Sequence, residues 1–237
     1  MDVDFLLRRM NSEPEHMDTV INEIIATSTG SNEVVVLTAK KTERISPQRR
    51  YPGVSTQIIG QIKNVRVPFD VDIGIGDVIV PKPQKRLVQT QLGGYESPEV
   101  LTYSLESTIA EKFDAILQRY ELTGRMKDFY DIYYLSQSFD FDGRILQEAI
   151  TQTLSTRGTP YERDRLGRVV ALVEDADMQT KWRHFLKTIK GREIAFSDVV
   201  TGINHFLCPV WEAIVHKDEF FEAWSAKEAK WYESSGR

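Results

Sequence analysis

The pattern of apolar residues changes character at Pro98. Before it, an amphipathic helix pattern at 14–27 is followed by runs of β-branched residues, typical of strands, at 33–40, 55–62 and 64–75. After it, amphipathic helical periodicity recurs over 105–121, 126–136, 142–154, 179–188, 197–215 (broken near Pro209) and 217–232. The sequence therefore predicts an α+β fold, with a mixed-sheet domain over residues 1–98 and an all-α domain over 99–237.

Two of the predicted strands carry alternating carboxylates. Asp2 and Asp4 are separated by one residue, as are Asp70 and Asp72 within the segment 69–73. Side chains alternate between the two faces of a strand, so each pair points to one face. Mg²⁺ prefers such oxygen ligands, and a divalent cation would neutralise carboxylates that are otherwise unfavourable on a strand. A solvated sheet face is the plain alternative, and it fits Asp70 better than Asp72.

The bulk composition excludes several classes of protein. The net charge of −5 argues against binding to nucleic acid through overall charge, although a local basic patch is compatible with it. A single cysteine leaves no disulfide framework or cysteine metal cluster. No apolar run reaches the ~20 residues of a membrane span, and the N-terminus lacks a signal-peptide pattern, so we expect a cytoplasmic protein with no membrane partner.

A second group of charges falls on two predicted helices. Lys112 lies close to the apolar stripe of the first, and the segment 125–131 of the second carries Arg125, Lys127, Asp128 and Asp131. Lys127 and Asp131 share a helix face, as do Asp128 and Asp131. A surface ion pair and a snorkelling Lys112 are the plain explanations; a phosphate-binding lysine oriented by a carboxylate is the functional one.

Five segments together form a specific combination: YSLESTIAEKFDA at 103–115, RMKDFYD at 125–131, DIGIGD at 72–77, FDFDG at 139–143 and TLSTRGT at 153–159. This combination resembles the AbiEii/AbiGii toxin family, nucleotidyltransferase-like toxins of bacterial abortive-infection and toxin–antitoxin systems. The resemblance extends from Asp2 to about Leu186. It implies a DNA polymerase β-like nucleotidyltransferase domain followed by a helical domain that completes the nucleotide pocket.

The resemblance also implies roles for individual residues. Asp2 and Asp4 would be the metal-binding pair, and Asp72 the third catalytic, metal-binding carboxylate. Lys112 would lie at the nucleotide phosphates, with Lys127, Asp128 and Asp131 forming a downstream KDxxD element near the nucleotide. The implied reaction is Mg²⁺-dependent transfer of a nucleoside monophosphate from an NTP to RNA, such as the 3′ end of tRNA. A separately encoded antitoxin is the implied partner, with no direct contact required.

The family pattern places a glycine-rich element ending in Ser or Thr before the DxD, and the sequence begins at the DxD itself. An inactive truncated remnant, or a nucleotide-binding interaction module of the same fold, is therefore the alternative function. A scaffold whose charges are all solvated is a third. In the final predicted helix, Trp224 and Trp231 are a heptad apart. Core and interface are the two alternatives for this pair, and we interpret both as core residues.

Overall fold

A computed structural model describes residues 2–7, 13–27, 34–45, 53–75, 78–90, 94, 96–119, 124–189 and 193–233. The chain forms two compact units, Met1–Asp77 and Val78–Arg237. Within the ranges just given, the first unit is a sheet with one helix and the second is mainly helical, so the fold is α+β, as predicted. The prediction drew the domain boundary after residue 98.

In its described residues, the first unit contains a four-stranded mixed sheet and one helix. Its elements are β1 (Asp2–Leu7), α1 (Pro14–Ala26), β2 (Val36–Ile45), β3 (Gly53–Ile62) and β4 (Val65–Ile75). The strand order is β1-β4-β3-β2. Strand β1 runs parallel to β4, whereas β2 with β3 and β3 with β4 are antiparallel.

The sheet buries one face beneath α1. Val54 and Ile58 of β3 and Val71 and Ile73 of β4 form a core with Met17 and Ile21 of α1, each of these six at most 6% exposed. Alternation along β4 then places Asp70 and Asp72 on the opposite face. The apolar positions of β4 thus determine which face carries its carboxylates.

The second unit contains six α-helices in the described part of the chain. They are α2 (Leu105–Arg119), α3 (Met126–Ser138), α4 (Gly143–Arg157), α5 (Asp164–Ala171), α6 (Ala176–Ile189) and α7 (Phe196–His216). Two hairpins accompany them: β5 (Gln84–Leu87) with β6 (Glu99–Thr102), and β8 (Glu222–Ser225) with β9 (Lys230–Glu233), to which the short β7 (Phe141–Asp142) is added. None of the helices that the structure describes is long and apolar enough to cross a membrane.

Helix α7 lies at the centre of this unit. Phe206, Leu207 and Trp211 are fully buried, and α7 packs against α3, α4 and α5. The predicted break near Pro209 is wrong, because α7 continues through that residue. Its buried apolar surface offsets the hydrogen bond that a proline removes from a helix.

The helix predicted over 217–232 is also wrong, since this segment forms the β8–β9 hairpin. Helix α7 ends where Lys217 adopts a left-handed conformation with φ 63°. Trp224 and Trp231 pair directly across the hairpin and are 2% and 7% exposed. Their indole N–H groups donate to the carbonyl oxygens of Ser136 at 2.7 Å and Phe206 at 2.9 Å. Both tryptophans are therefore core residues, as predicted, but through strand pairing.

Candidate functional site

The two acidic strands are neighbours in the sheet. In the parallel register of β1 and β4, Asp4 lies beside Asp72 and Asp2 lies beside Asp70. The sequence predicted that these carboxylates belong together, and the backbone brings their positions side by side. The side chains of Asp2 and Asp4 lie outside the described residues.

Asp72 has a hydrogen-bond partner that the sequence did not reveal. Ser55 is opposite Asp72 in the β3–β4 register, and its hydroxyl donates to Oδ1 of Asp72 at 2.5 Å. Both residues are partly buried. Nothing in the sequence marks Ser55 as a site residue, because its position beside Asp72 depends on the strand register, which sequence patterns do not specify. The Ser55 hydroxyl thus restrains the orientation of the Asp72 carboxylate, whose two oxygens keep further lone pairs for another ligand.

Further polar residues continue this row across the sheet. Glu43 of β2 is opposite Ser55, and Lys41 contacts Glu43 at 2.5 Å between Nζ and Oε2. Gln57 is opposite Asp70, which is exposed. The open face therefore combines carboxylate, hydroxyl and amide oxygens, the ligand types that a hard divalent cation takes. Among the side chains that the structure describes, no group of three His, Cys, Asp or Glu converges on a metal position.

The second predicted group lies where α2 packs on α3. The Lys112 ammonium contacts Asp131 at 2.6 Å and Asp128 at 3.3 Å. Arg125 contacts the other oxygen of Asp128 through Nε at 2.5 Å. Asp128 is only 2% exposed, whereas the Lys112 side chain is 20% exposed. A buried carboxylate requires paired charge, so Asp128 has a structural reason to hold both cations.

The same ion pairs fix the position of the Lys112 ammonium. An ammonium has three N–H donors, and two carboxylates account for two of them. The third can be directed to an anion. Lys127 is exposed, and it makes no ion pair among the contacts that the structure describes. The structure thus brings together Lys112, Asp128 and Asp131. Because α2 approaches this face of α3, the lysine between the two carboxylates is Lys112 and not Lys127.

A third polar cluster joins α2 to the end of α4. Asp114 is 1% exposed and accepts hydrogen bonds from Thr159 at 2.5 Å, Gln118 at 2.9 Å and Arg157 at 3.3 Å. Arg157 also contacts Glu111 at 3.5 Å. Except for Gln118, these residues come from two of the segments that carry the family resemblance, 103–115 and 153–159. Their contacts hold helices together, so part of that sequence pattern is structural.

Comparison with known proteins supplies a family. The family model described as "Nucleotidyl transferase AbiEii toxin, Type IV TA system" matches residues 1–215. Among curated proteins, none matches the sequence. Two crystal structures from Helicobacter pylori resemble the fold. JHP933 has 11% identity, a TM-score of 0.44 and coverage of 91% of this chain and 77% of that one. A candidate nucleotidyltransferase has 12% identity, a TM-score of 0.45 and coverage of 92% and 81%.

Proposed function

Since this chain belongs to the AbiEii family of nucleotidyl transferase toxins of type IV toxin–antitoxin systems, we propose that it transfers a nucleoside monophosphate from an NTP to an RNA acceptor such as tRNA. The chain is a nucleotidyltransferase, and its family implies an antitoxin partner. The observation that carries the proposed site is the parallel register that sets Asp4 beside Asp72. We assign Mg²⁺ binding to Asp2, Asp4 and Asp72.

The reaction needs little covalent help from the protein. A hydroxyl oxygen of the acceptor forms a bond to the α-phosphorus of the NTP, the bond from that phosphorus to pyrophosphate breaks, and a carboxylate of the acidic row takes the hydroxyl proton. Bound Mg²⁺ supplies charge neutralisation on the phosphates. Ser55 holds Oδ1 of Asp72, which fixes the direction of Oδ2. Asp72 is in this way preorganised for its role.

Lys112 is the residue that we assign to the triphosphate. Its ammonium is held by Asp128 and Asp131 and is partly exposed, so it can meet a phosphate oxygen without a search through rotamers. Asp128 and Asp131 act as positioning residues in this assignment. Lys127, which the family resemblance also assigns to the nucleotide, is exposed, so water would screen any contact that it makes with a phosphate and that contact would be weaker than the contact of Lys112.

The proposal is tested by transfer of label. The native chain is incubated with Mg²⁺, total tRNA and each of the four α-labelled NTPs in turn. Label that enters tRNA with one NTP supports the proposal and identifies the nucleotide. Label that enters no RNA, while Mg²⁺–NTP binding is measurable by calorimetry, would contradict transfer and favour the nucleotide-binding module.

Ser55→Ala should lower kcat by roughly 10- to 100-fold, the usual cost of losing a group that orients a metal ligand. The Mg²⁺ concentration needed for half-maximal rate should rise, because Asp72 loses its fixed orientation. Ser55→Thr keeps the hydroxyl and should recover most of the activity. An unchanged Mg²⁺ requirement in Ser55→Ala would show that the hydroxyl does not position Asp72.

Lys112→Met should raise KM for the NTP by roughly 10- to 100-fold, since a charge-assisted hydrogen bond contributes about 1.5–3 kcal/mol. Lys127→Met is the matched variant on the exposed side of the neighbouring helix, and we expect less than about a threefold change from it. Steady-state kinetics of label transfer measures both. Equal effects of the two substitutions would contradict the assignment of Lys112 as the principal phosphate contact.

A further inference from the structure

A wide groove in the described part of the helical unit has no role in the proposed chemistry. It has a volume of about 1310 Å³ and lies between α3, α6 and the first turn of α7. Small-molecule pockets span roughly 300–1,000 Å³. A groove of this size is better suited to an extended segment of a polymer than to a single nucleotide.

Helix α3 contributes an aromatic wall. Tyr130, Tyr133 and Tyr134 all line the groove. The rings of Tyr130 and Tyr134 are parallel, with 10° between their planes and 6.4 Å between their centroids. Tyr134 is 54% exposed, so its ring is accessible to a ligand in the groove. Exposed flat rings of this kind are platforms for nucleobases, which stack with little regard to sequence.

Helix α6 contributes the cations. Arg183 and Lys187, one helical turn apart, line the groove and are exposed. The sequence from 181 to 192 carries basic residues and no Asp or Glu, although the chain as a whole has a net charge of −5. Glu193 and Asp198 lie on the α7 side. Phosphate groups are therefore attracted to the α6 side of the groove and repelled from its α7 side, so a bound nucleic-acid backbone should follow α6.

We propose that this groove binds a single-stranded segment of the RNA acceptor. Its bases stack on the tyrosines of α3, and its phosphates follow Arg183 and Lys187 on α6. The combination of aromatic rings with a cationic strip, in an otherwise acidic chain, matches single-stranded nucleic acid better than it matches a duplex or an acidic protein. That the ligand is RNA rests on the proposed function. The new element is the place on the helical unit where this RNA binds.

The test is direct binding, which needs no catalysis. Fluorescence anisotropy follows a labelled single-stranded oligoribonucleotide of mixed sequence, with the native chain and with Tyr134→Ala, Tyr134→Phe and the double variant Arg183→Ala/Lys187→Ala. Tyr134→Ala should weaken binding roughly tenfold, and Tyr134→Phe should retain it, since stacking needs the ring and not the hydroxyl. The double variant should reduce the slope of log K against log salt by about 1.4, or 0.7 for each cation.

The matched control is Lys227→Ala/Lys230→Ala, which removes the same charge from exposed positions of the β8–β9 hairpin. Equal losses in the control and in the groove variant would overturn the proposal, because bulk charge would then explain both. Unaltered binding by the groove variants would also overturn it, and label transfer to tRNA by the native chain would still uphold the proposed function. Weakened binding by the groove variants alone supports the groove even where no label is transferred.

Discussion

Asp72→Asn should reduce kcat for label transfer by about 10³-fold, the largest functional effect that we expect from one substitution. The amide is nearly isosteric with the carboxylate, and it can still accept the hydrogen bond of Ser55. It carries no negative charge for a cation and cannot take the proton of the attacking hydroxyl. Stability should change little, because Asp72 is only partly buried and lies on the open face of the sheet. Single-turnover kinetics with saturating NTP and tRNA measures the loss.

Asp70→Asn is the matched control for this substitution. Asp70 lies two residues before Asp72 on the same strand and the same face, but it is exposed and is beside Asp2 rather than Asp4. We expect its kcat to stay within about tenfold of the native value, as for a surface charge near a site. A loss in Asp70→Asn as large as that in Asp72→Asn would move the third carboxylate to Asp70.

Residue patterns were a good guide to the faces of the sheet. Val71 and Ile73 are buried, and Asp70 and Asp72 are on the other face, because alternation follows directly from strand geometry. The same patterns did not predict which residues of neighbouring strands lie opposite each other. Nothing in a single β-branched run specifies its register, so the contact of Ser55 with Asp72 and the adjacency of Asp4 and Asp72 needed the folded chain.

The helical unit shows a different source of error. Trp224 and Trp231 have a spacing of seven, which is typical of one helix face, yet they face each other across a hairpin. The same spacing arises when a tight turn joins two short strands, so periodicity alone cannot distinguish the two cases. At Pro209 the sequence predicted a break that the structure does not have, because the buried apolar face of α7 offsets the loss of one helix hydrogen bond. In both segments, tertiary packing determined the secondary structure.

The segment 105–115 combines two roles on the opposite sides of one helix. Lys112 turns towards Asp128 and Asp131 on α3, whereas Asp114 turns towards Thr159 and Arg157 at the end of α4. A family pattern read from sequence cannot separate these roles, since both constrain the same turn of helix. The distinction follows from exposure: Lys112 can reach a ligand and Asp114 cannot. Substitution of Lys112 should therefore weaken NTP binding, whereas substitution of Asp114 should lower the free energy of unfolding.

Asp114→Ala should lower the free energy of unfolding of the helical unit by about 3–5 kcal/mol, the usual cost of removing one partner from a buried charge network. It leaves the Thr159 hydroxyl without its 2.5 Å acceptor and weakens the hold on Arg157. All four tryptophans belong to this unit, so denaturation followed by tryptophan fluorescence reports on it selectively.

Asp164→Ala is the control for Asp114→Ala, because Asp164 pairs with Arg168 on an exposed turn of α5. It should cost less than about 1 kcal/mol. Below its lowered melting temperature, Asp114→Ala should keep KM for the NTP within about threefold of the native value, since Asp114 is buried away from any ligand. A raised KM in a fully folded Asp114→Ala would place this carboxylate in the nucleotide site, and unaltered stability would remove its structural role.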